Sequence, residues 1–351
     1  MIRVARRVMV NSAVPQQTPH KNTGTPPAPA AMPQRETRHD ITLRWNTCTV
    51  QDWEERLARI PRSNLIQTWP YAQTMRGVEH KMTRFGLIMD GERELGLLQI
   101  QEIKLFRLFH VVILDRGPLW YDAPVPRATW EGFFKTFAKS FPRSLTRWRR
   151  FMPEVLLDAP LKQKLIESGF RYKSRGYQSM WVDLKSDADA LRRALKRNWR
   201  NHLNNAERAP LRVEKDNKAD HLNWLLKNYE ADRRARRYPG PSVDIVKTLV
   251  ACARPKNNVL MLRATLGGQP IAAILVLLHG KSATYQIGFS SDDGRKASAH
   301  HLLLWRAMME LKGRGVEDFD LGGINPESAQ GVTTFKEGMG GQPFELIGLY
   351  T

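Results

Sequence analysis

The chemistry-bearing residues of this 351-residue chain concentrate near its end, in Asp318-Phe319-Asp320-Leu321-Gly322-Gly323-Ile324, then Gly331-Val332, then Phe335-Lys336-Glu337-Gly338-Met339-Gly340-Gly341. A strand that stops on two glycines admits a second backbone or a ligand where a Cβ would collide. Gly322 and Gly323 are therefore candidate substrate-binding positions. Lys336 can turn its ammonium into a pocket while Phe335 anchors the segment. An ammonium so placed binds phosphate or offsets the negative charge of an acyl-transfer oxyanion. The plainer alternative is a solvated lysine before a glycine-rich turn, the default for surface lysines. Asp115, Asp320 and Glu337 are all open as a general base.

Other residues point to anions. Arg116 stands at a strand end in Arg116-Gly117-Pro118, ahead of Leu119 and the pair Trp120-Tyr121. An arginine beside aromatics can hold a phosphorylated or carboxylated acceptor; it can equally serve a salt-bridged loop. Arg192, Arg193, Lys196, Arg197, Arg200 and Arg208 surround a helix with Trp199 and Leu203 on part of its apolar face, and Arg233, Arg234, Arg236 and Arg237 cluster beside Tyr238. The planar arginine fork suits phosphate, whereas a charge run that only solvates a helix face is the competing reading. Tyr285, in the strand expected over 282–290, completes the candidate substrate-binding set.

Lys and Arg total 55 against 35 Asp and Glu, a net charge of +20. That excess suits tRNA, a nucleotide-linked sugar, a phosphate-bearing coenzyme or an anionic membrane surface, unless it only reflects a basic proteome. Cys48 and Cys252 form neither a disulfide framework nor a metal spacing, which fits a reducing compartment. His300-His301 has no acidic or sulfur partner at zinc spacing, and no Gly-x-Ser-x-Gly elbow occurs. Apolar stretches such as Ile271–Leu278 fall far short of the ~20 residues of a spanning helix.

These residues are positioned by elements that recur in two halves. Residues 15–38 are rich in Pro, Thr, Ala and Gln and read as a disordered leader. The first half then predicts helices over 51–60 and after Gln67-Thr68-Trp69, a hairpin 80–89/94–104 turning on Asp90-Gly91, a buried strand 110–115, a helix 127–141, a strand near 148–152, a short helix 161–168 and a strand 177–184. The second predicts a long basic helix from Ala188 to about Ala206 ahead of Pro210, helices over 219–236 and from Ser242, a hairpin 259–266/270–279 turning on Gly267-Gly268, a strand 282–290, a loop 291–296, a helix 298–313 and a strand 316–321. The expected fold is α+β, a mixed sheet built twice, with residues 1–40 as leader and domains over 41–182 and 183–351.

The element order of the second half matches the GNAT (N-acyltransferase) superfamily. The C-terminal run quoted above resembles the end of Fem-type aminoacyltransferases and their GNAT relatives, and Asn64-Leu65-Ile66-Gln67-Thr68-Trp69 resembles the opening segment of that family's first domain. The resemblance implies tandem GNAT-like domains, the acceptor side first, the donor and transfer site second. It implies transfer of an acyl group, often an amino acid from aminoacyl-tRNA, to an amine acceptor such as a peptidoglycan precursor, with Lys336 at a position associated with the transfer site. An acetyl-CoA-binding GNAT loop is patterned Arg/Gln-x-x-Gly-x-Gly/Ala; here Gly294-Arg295-Lys296-Ala297-Ser298-Ala299 supplies Gly, Ala and Ala at the patterned positions. Arg295 and Lys296 remain candidates for donor phosphate, but the loop favours aminoacyl-tRNA over acyl-CoA. An acyl-CoA N-acyltransferase, and a non-catalytic anion-binding protein on a GNAT scaffold, stay as alternatives. No tightly bound cofactor and no metal are expected, and the expected place is the cytoplasm, with peripheral contact at the inner face of the membrane.

Overall fold

The computed structural model describes residues 40–106, 108–215, 219–327 and 329–351; nearly all of the expected leader lies outside them. In chain order the first half comprises β1 (Ile41–Trp45), α1 (Val50–Arg59), α2 (Trp69–Glu79), β2 (Met82–Asp90), β3 (Arg93–Leu105), β4 (Phe109–Asp115), β5 (Leu119–Trp120), α3 (Arg127–Ser140), β6 (Arg147–Met152), α4 (Ala159–Glu167) and β7 (Tyr172–Ser174). The second comprises β8 (Gln178–Asp183), α5 (Ala188–Ala194), α6 (Arg197–Arg208), β9 (Leu211–Lys215), α7 (Ala219–Arg236), α8 (Val243–Ala253), β10 (Val259–Leu266), β11 (Gln269–His279), β12 (Ser282–Ser290), α9 (Asp292–Lys296), α10 (Ala299–Gly313), β13 (Asp318–Asp320), α11 (Gln330–Glu337), β14 (Gln342–Glu345) and β15 (Leu349–Tyr350).

Two mixed sheets result, ordered β1-β2-β3-β4-β6-β15-β7 and β14-β8-β13-β12-β11-β10-β9. Each contains an antiparallel meander whose last strand runs parallel to the next one after a helix: β4 with β6 across α3, and β12 with β13 across α10. The duplication expected from element order is thus present as connectivity. Two exchanges tie the halves together. β8 pairs with β13 and β14 in the second sheet, so the expected boundary at 182/183 falls inside a strand of that sheet. β15, from the end of the chain, pairs with β6 and β7 in the first.

Local signals account for most elements. Thr49 and Asp52 close a capping box at the start of α1. Gly267 and Gly268 both take positive φ (57° and 81°), the backbone a two-residue hairpin turn demands. β11 is apolar almost throughout because both its faces are covered: Ala272, Ile274 and Val276 face a core with α6 and α10, while Ala273, Leu275 and Leu277 face one with α7 and α8. The first half is centred on Phe133, Phe134, Phe137, Phe151 and Phe170, all fully buried.

Three features depart from the sequence reading. The basic helix from Ala188 is two helices, because Leu195 and Lys196 are extended and the Lys196 amide is bonded to the Gly338 carbonyl at 2.9 Å. Lys336 follows no simple loop but lies in the last turn of α11. Residues 292–296, expected as loop, form the single turn α9. Among the described residues no helix is long and apolar enough to cross a membrane.

Candidate functional site

β12 and β13 pair only over Ser282–Thr284 and Asp318–Asp320. β12 then continues beside β11 to Ser290, with a bulge at Gln286 that bends it. The chain beyond β13 instead follows β8, through Leu321 N to Met180 O (3.0 Å) and Ile324 N to Gln178 O (2.9 Å). The two strands therefore diverge, and a wedge opens beyond Tyr285 and Gly322, which still touch at its apex. A Cβ on Gly322 would stand 2.7 Å from the Tyr285 carbonyl oxygen, and its φ of 75° is one that side-chain-bearing residues rarely adopt.

Lys336 reaches this wedge. Its side chain is buried, and Nζ donates to the carbonyls of Gly322 (3.0 Å) and Gly323 (2.9 Å) and lies 5.7 Å from the Tyr285 ring centre. Burial lowers the lysine pKa to about 8, against a smaller opposing pull from Asp320. Two of the three ammonium protons are committed, leaving one for a ligand. Phe335 packs on the other side, against Trp199, His300 and His301. Tyr285 shares a 2.9 Å hydrogen bond with His300, whose pKa is lowered to about 4 by burial and by Lys336, so the imidazole is neutral there.

Asp320 is fully buried beneath the wedge. One oxygen accepts from the Ser179 hydroxyl and from Gly322 N (2.9 Å), the other from Arg116 at 3.0 Å. Arg116 also holds Glu154 through Nε (2.9 Å) and a second nitrogen (2.8 Å), with its guanidinium 4.3 Å over the Tyr177 ring. Burial opposes this charge, but Glu154 and then Asp320 outweigh it and keep the pKa well above the ordinary arginine value. The expected acceptor arginine is thus a strut between the halves, its fork already filled by carboxylates. Arg62 with Asp318 (2.6 Å) and Ser63 with His279 (2.9 Å) cross the same junction.

The segment Asn64–Trp69 fixes the strand end that carries Arg116. The Asn64 amide donates to the Arg116 carbonyl (2.7 Å), and the Gln67 amide donates to the carbonyls of Asp115 (2.9 Å) and Gln99 (3.2 Å). Thr68 caps α2, and Trp69 stacks on Phe85 at 4.1 Å. Beside this segment lies a cavity of about 280 Å³ with a mixed lining, in which Gln67, Lys81, Gln101, Asp115 and Arg150 meet Ile66, Met75 and Ile113. Burial raises the Asp115 pKa, with Arg150 at 3.0 Å opposing. Glu337 instead faces Lys196, at 3.0 Å, on the surface.

The remaining expected residues lie apart from the wedge. Trp120 is buried in the aromatic core of the first half, edge-on to Trp130 at 5.1 Å. Tyr238 packs against Tyr229 near the end of α7, and the neighbouring basic cluster is largely neutralised on its own helix, Arg233 and Arg234 by Glu230 and Arg236 by Asp232. On α5 and α6, Arg192 pairs with Glu207, while Arg193, Arg197, Arg200 and Arg208 have no carboxylate partner among the described residues; an Arg200 nitrogen donates to the Arg193 carbonyl instead. Arg295 pairs with Asp292, and Lys296 with Asp293 (3.6 Å). The glycine of that loop, Gly294, is dictated by packing: a Cβ would meet the Ile271 carbonyl oxygen at 2.5 Å.

The sequence reading did not single out Glu154, Ser179, Tyr177 or His300 as part of this network. Nothing in their local sequence marks them, since each partner lies on a different strand or helix. No group of His, Cys, Asp and Glu among the described residues is arranged to hold a metal.

Residues 189–337 match the family of acetyltransferase (GNAT) domains. Over 88% of this chain and 96% of the other, the fold is similar to the crystal structure of FemX, with a TM-score of 0.73 at 14% identity. A conserved protein of unknown function from Bacteroides thetaiotaomicron VPI-5482 is also similar, with a TM-score of 0.56 at 10% identity over 88% of this chain and 98% of that one. No curated protein matches the chain.

Proposed function

We infer that this chain, whose residues 189–337 match the acetyltransferase (GNAT) domain family and whose fold is similar to that of FemX, is an acyltransferase that moves an aminoacyl group from aminoacyl-tRNA to an amine on a cell-wall precursor. The observation that carries the reading is the Lys336 ammonium, held by two carbonyls where β12 and β13 part, with one proton uncommitted. In the proposed reaction the acceptor nitrogen attacks the ester carbonyl and forms the C–N bond. Lys336 donates to the oxyanion or to the departing ribose oxygen. The intermediate then collapses, the C–O bond breaks, and the proton lost by the amine ends on the released hydroxyl. Asp320 and Arg116 act as positioning residues: they fix Gly322, whose carbonyl orients the ammonium. No carboxylate is assigned as the base: Asp320 has both oxygens engaged, Asp115 has both on Arg150 and Glu337 faces Lys196, and an amine held against an activated ester needs little such help.

The donor assignment rests on charge. A coenzyme pyrophosphate needs free cations or exposed amides at its loop, yet Asp292 and Asp293 offset Arg295 and Lys296. Arg193, Arg197, Arg200 and Arg208 carry no such partners among the described residues and suit a polyanion. One observation favours acyl-CoA as a second reading: the edge of β12 beyond Thr284 has no partner strand among the described residues, and an extended amide-bearing chain can pair with such an edge.

Titration of the protein with deacylated tRNA and with coenzyme A tests the donor. We expect tRNA to bind with a steep salt dependence, and Arg197→Glu with Arg200→Glu to weaken it about tenfold or more. Tight coenzyme A binding with no tRNA binding would overturn the assignment.

A further inference from the structure

The three most exposed large apolar side chains among the described residues, Leu145, Phe106 and Leu108, gather at one end of the first sheet. Phe106 (82% exposed) and Leu108 lie on the β3–β4 turn with the exposed Leu105 and Phe109 beside them, and Leu145 (94%) lies on the neighbouring α3–β6 loop, followed by the half-exposed Trp148 at the start of β6. The two loops are joined: the His110 amide donates to the Thr146 carbonyl at 2.8 Å, and Phe109 stacks on Trp148 at 5.6 Å. Side chains of this size at two adjoining tips add nothing to either core, and their exposure is costly in water.

The charge around them is predominantly positive. Residues 103–114 and 132–153 contain no Asp or Glu, whereas the second stretch carries Lys135, Lys139, Arg143 and Arg147, besides Arg149, which is buried on the Gly169 carbonyl, and Arg150, which pairs with Asp115. Between the tips and the sheet lies an open cavity of about 830 Å³ whose lining includes Arg84, Lys104, His110 and Arg147 against the single carboxylate Glu102. Lys104, Arg143 and Arg147 have no carboxylate partner among the described residues. Convex apolar tips with an aromatic at the rim, encircled by cations, match the layering of an anionic bilayer: hydrocarbon inside, headgroup phosphates outside. A protein partner would need a complementary hollow lined with acids.

We propose that this end of the first sheet is a membrane-docking surface, with Phe106 and Leu108 entering the acyl-chain boundary and Lys104, Arg143 and Arg147 meeting anionic headgroups. The proposal stands independently of the donor assignment. β4 runs from the docked tip to Asp115, a length of about 20 Å along the strand.

The test is co-sedimentation of the full-length chain with phosphatidylcholine vesicles containing about a third phosphatidylglycerol, and with phosphatidylcholine alone. We expect sedimentation with the anionic vesicles only. Phe106→Ser with Leu108→Ser, both surface changes, should weaken it about tenfold or more with circular dichroism unchanged. Lys104→Glu with Arg143→Glu should weaken it similarly. Three results would overturn the proposal: wild-type protein left in the supernatant, equal sedimentation of the serine variant, which puts attachment elsewhere on the chain, or a wild-type dimer that the serine variant dissolves, which makes the patch a contact between copies.

Discussion

Replacing Lys336 by Met should uncouple two pH dependences that oppose one another. The lysine pKa is about 8 in the folded chain, lowered by burial from its ordinary 10.5. Below about pH 8 both folded and unfolded states hold the proton, and the fold carries a buried charge. Between about 8 and 10.5 the folded state releases the proton while the unfolded state keeps it. The unfolded state then binds more protons, so stability rises with pH. From about pH 7 to 9.5 the gain is RT ln[(1 + 10^1.5)/(1 + 10^−1)], about 2 kcal/mol. Activity runs the other way, because the proposed role needs the ammonium: the rate should fall along a one-proton limb centred near 8. Urea unfolding of wild type and Lys336→Met at both pH values isolates the lysine from the tyrosines that titrate higher. The variant should lack the gain and lose about 10²- to 10³-fold in kcat, as for removal of an oxyanion donor. Equal stability gains in both proteins, or a variant within about threefold of wild type in kcat, would refute the assignment.

Three further outcomes follow from the geometry. Arg116→Met leaves the buried Asp320 and the partly buried Glu154 without their cation and should destabilise the fold by about 3–5 kcal/mol, measured by urea unfolding. Gly322→Ala meets the Tyr285 carbonyl at 2.7 Å in a positive-φ backbone and should cost about 1–3 kcal/mol together with most activity, whereas Gly323→Ala, whose nearest neighbour is a tyrosine ring edge at 3.3 Å, should leave the fold intact; a thermal melt of each distinguishes them. Arg295→Ala with Lys296→Ala should change KM for an aminoacyl-tRNA donor by no more than about twofold, since both cations already face carboxylates.

The sheets and the duplication were legible because hairpin turns and apolar alternation are local: Gly267-Gly268 is the turn expected, and the first hairpin turns on Gly91-Glu92, one residue after the expected Asp90-Gly91, with Asp90 paired to Arg93. The exchange of β8 and β15 between halves was not, because a two-residue strand such as Leu349–Tyr350 has no periodicity to read. The break at Leu195-Lys196 was hidden for a similar reason: its cause is the Gly338 carbonyl, more than a hundred residues away. At the site, Lys336 and the Gly322-Gly323 pair were found from residue type and motif, and the structure brings them within hydrogen-bonding distance. Arg116 was found, but its partner carboxylates come from β13 and from the stretch after β6, so its role as a strut was beyond local reading. The glycines at 338 and 340 serve packing against α5 and α6, with a Cβ on Gly338 only 2.5 Å from Trp199.

The central claim is acyl transfer from aminoacyl-tRNA at the Lys336 wedge, and donor consumption tests it most directly. Purified protein is given a mixed aminoacyl-tRNA pool, acetyl-CoA and a long-chain acyl-CoA, with a crude cell-wall precursor fraction as acceptor. The account predicts loss of one aminoacyl-tRNA, dependent on the precursor and abolished in Lys336→Met, with no thiol released. Thiol release from a CoA donor with every aminoacyl-tRNA untouched would contradict it.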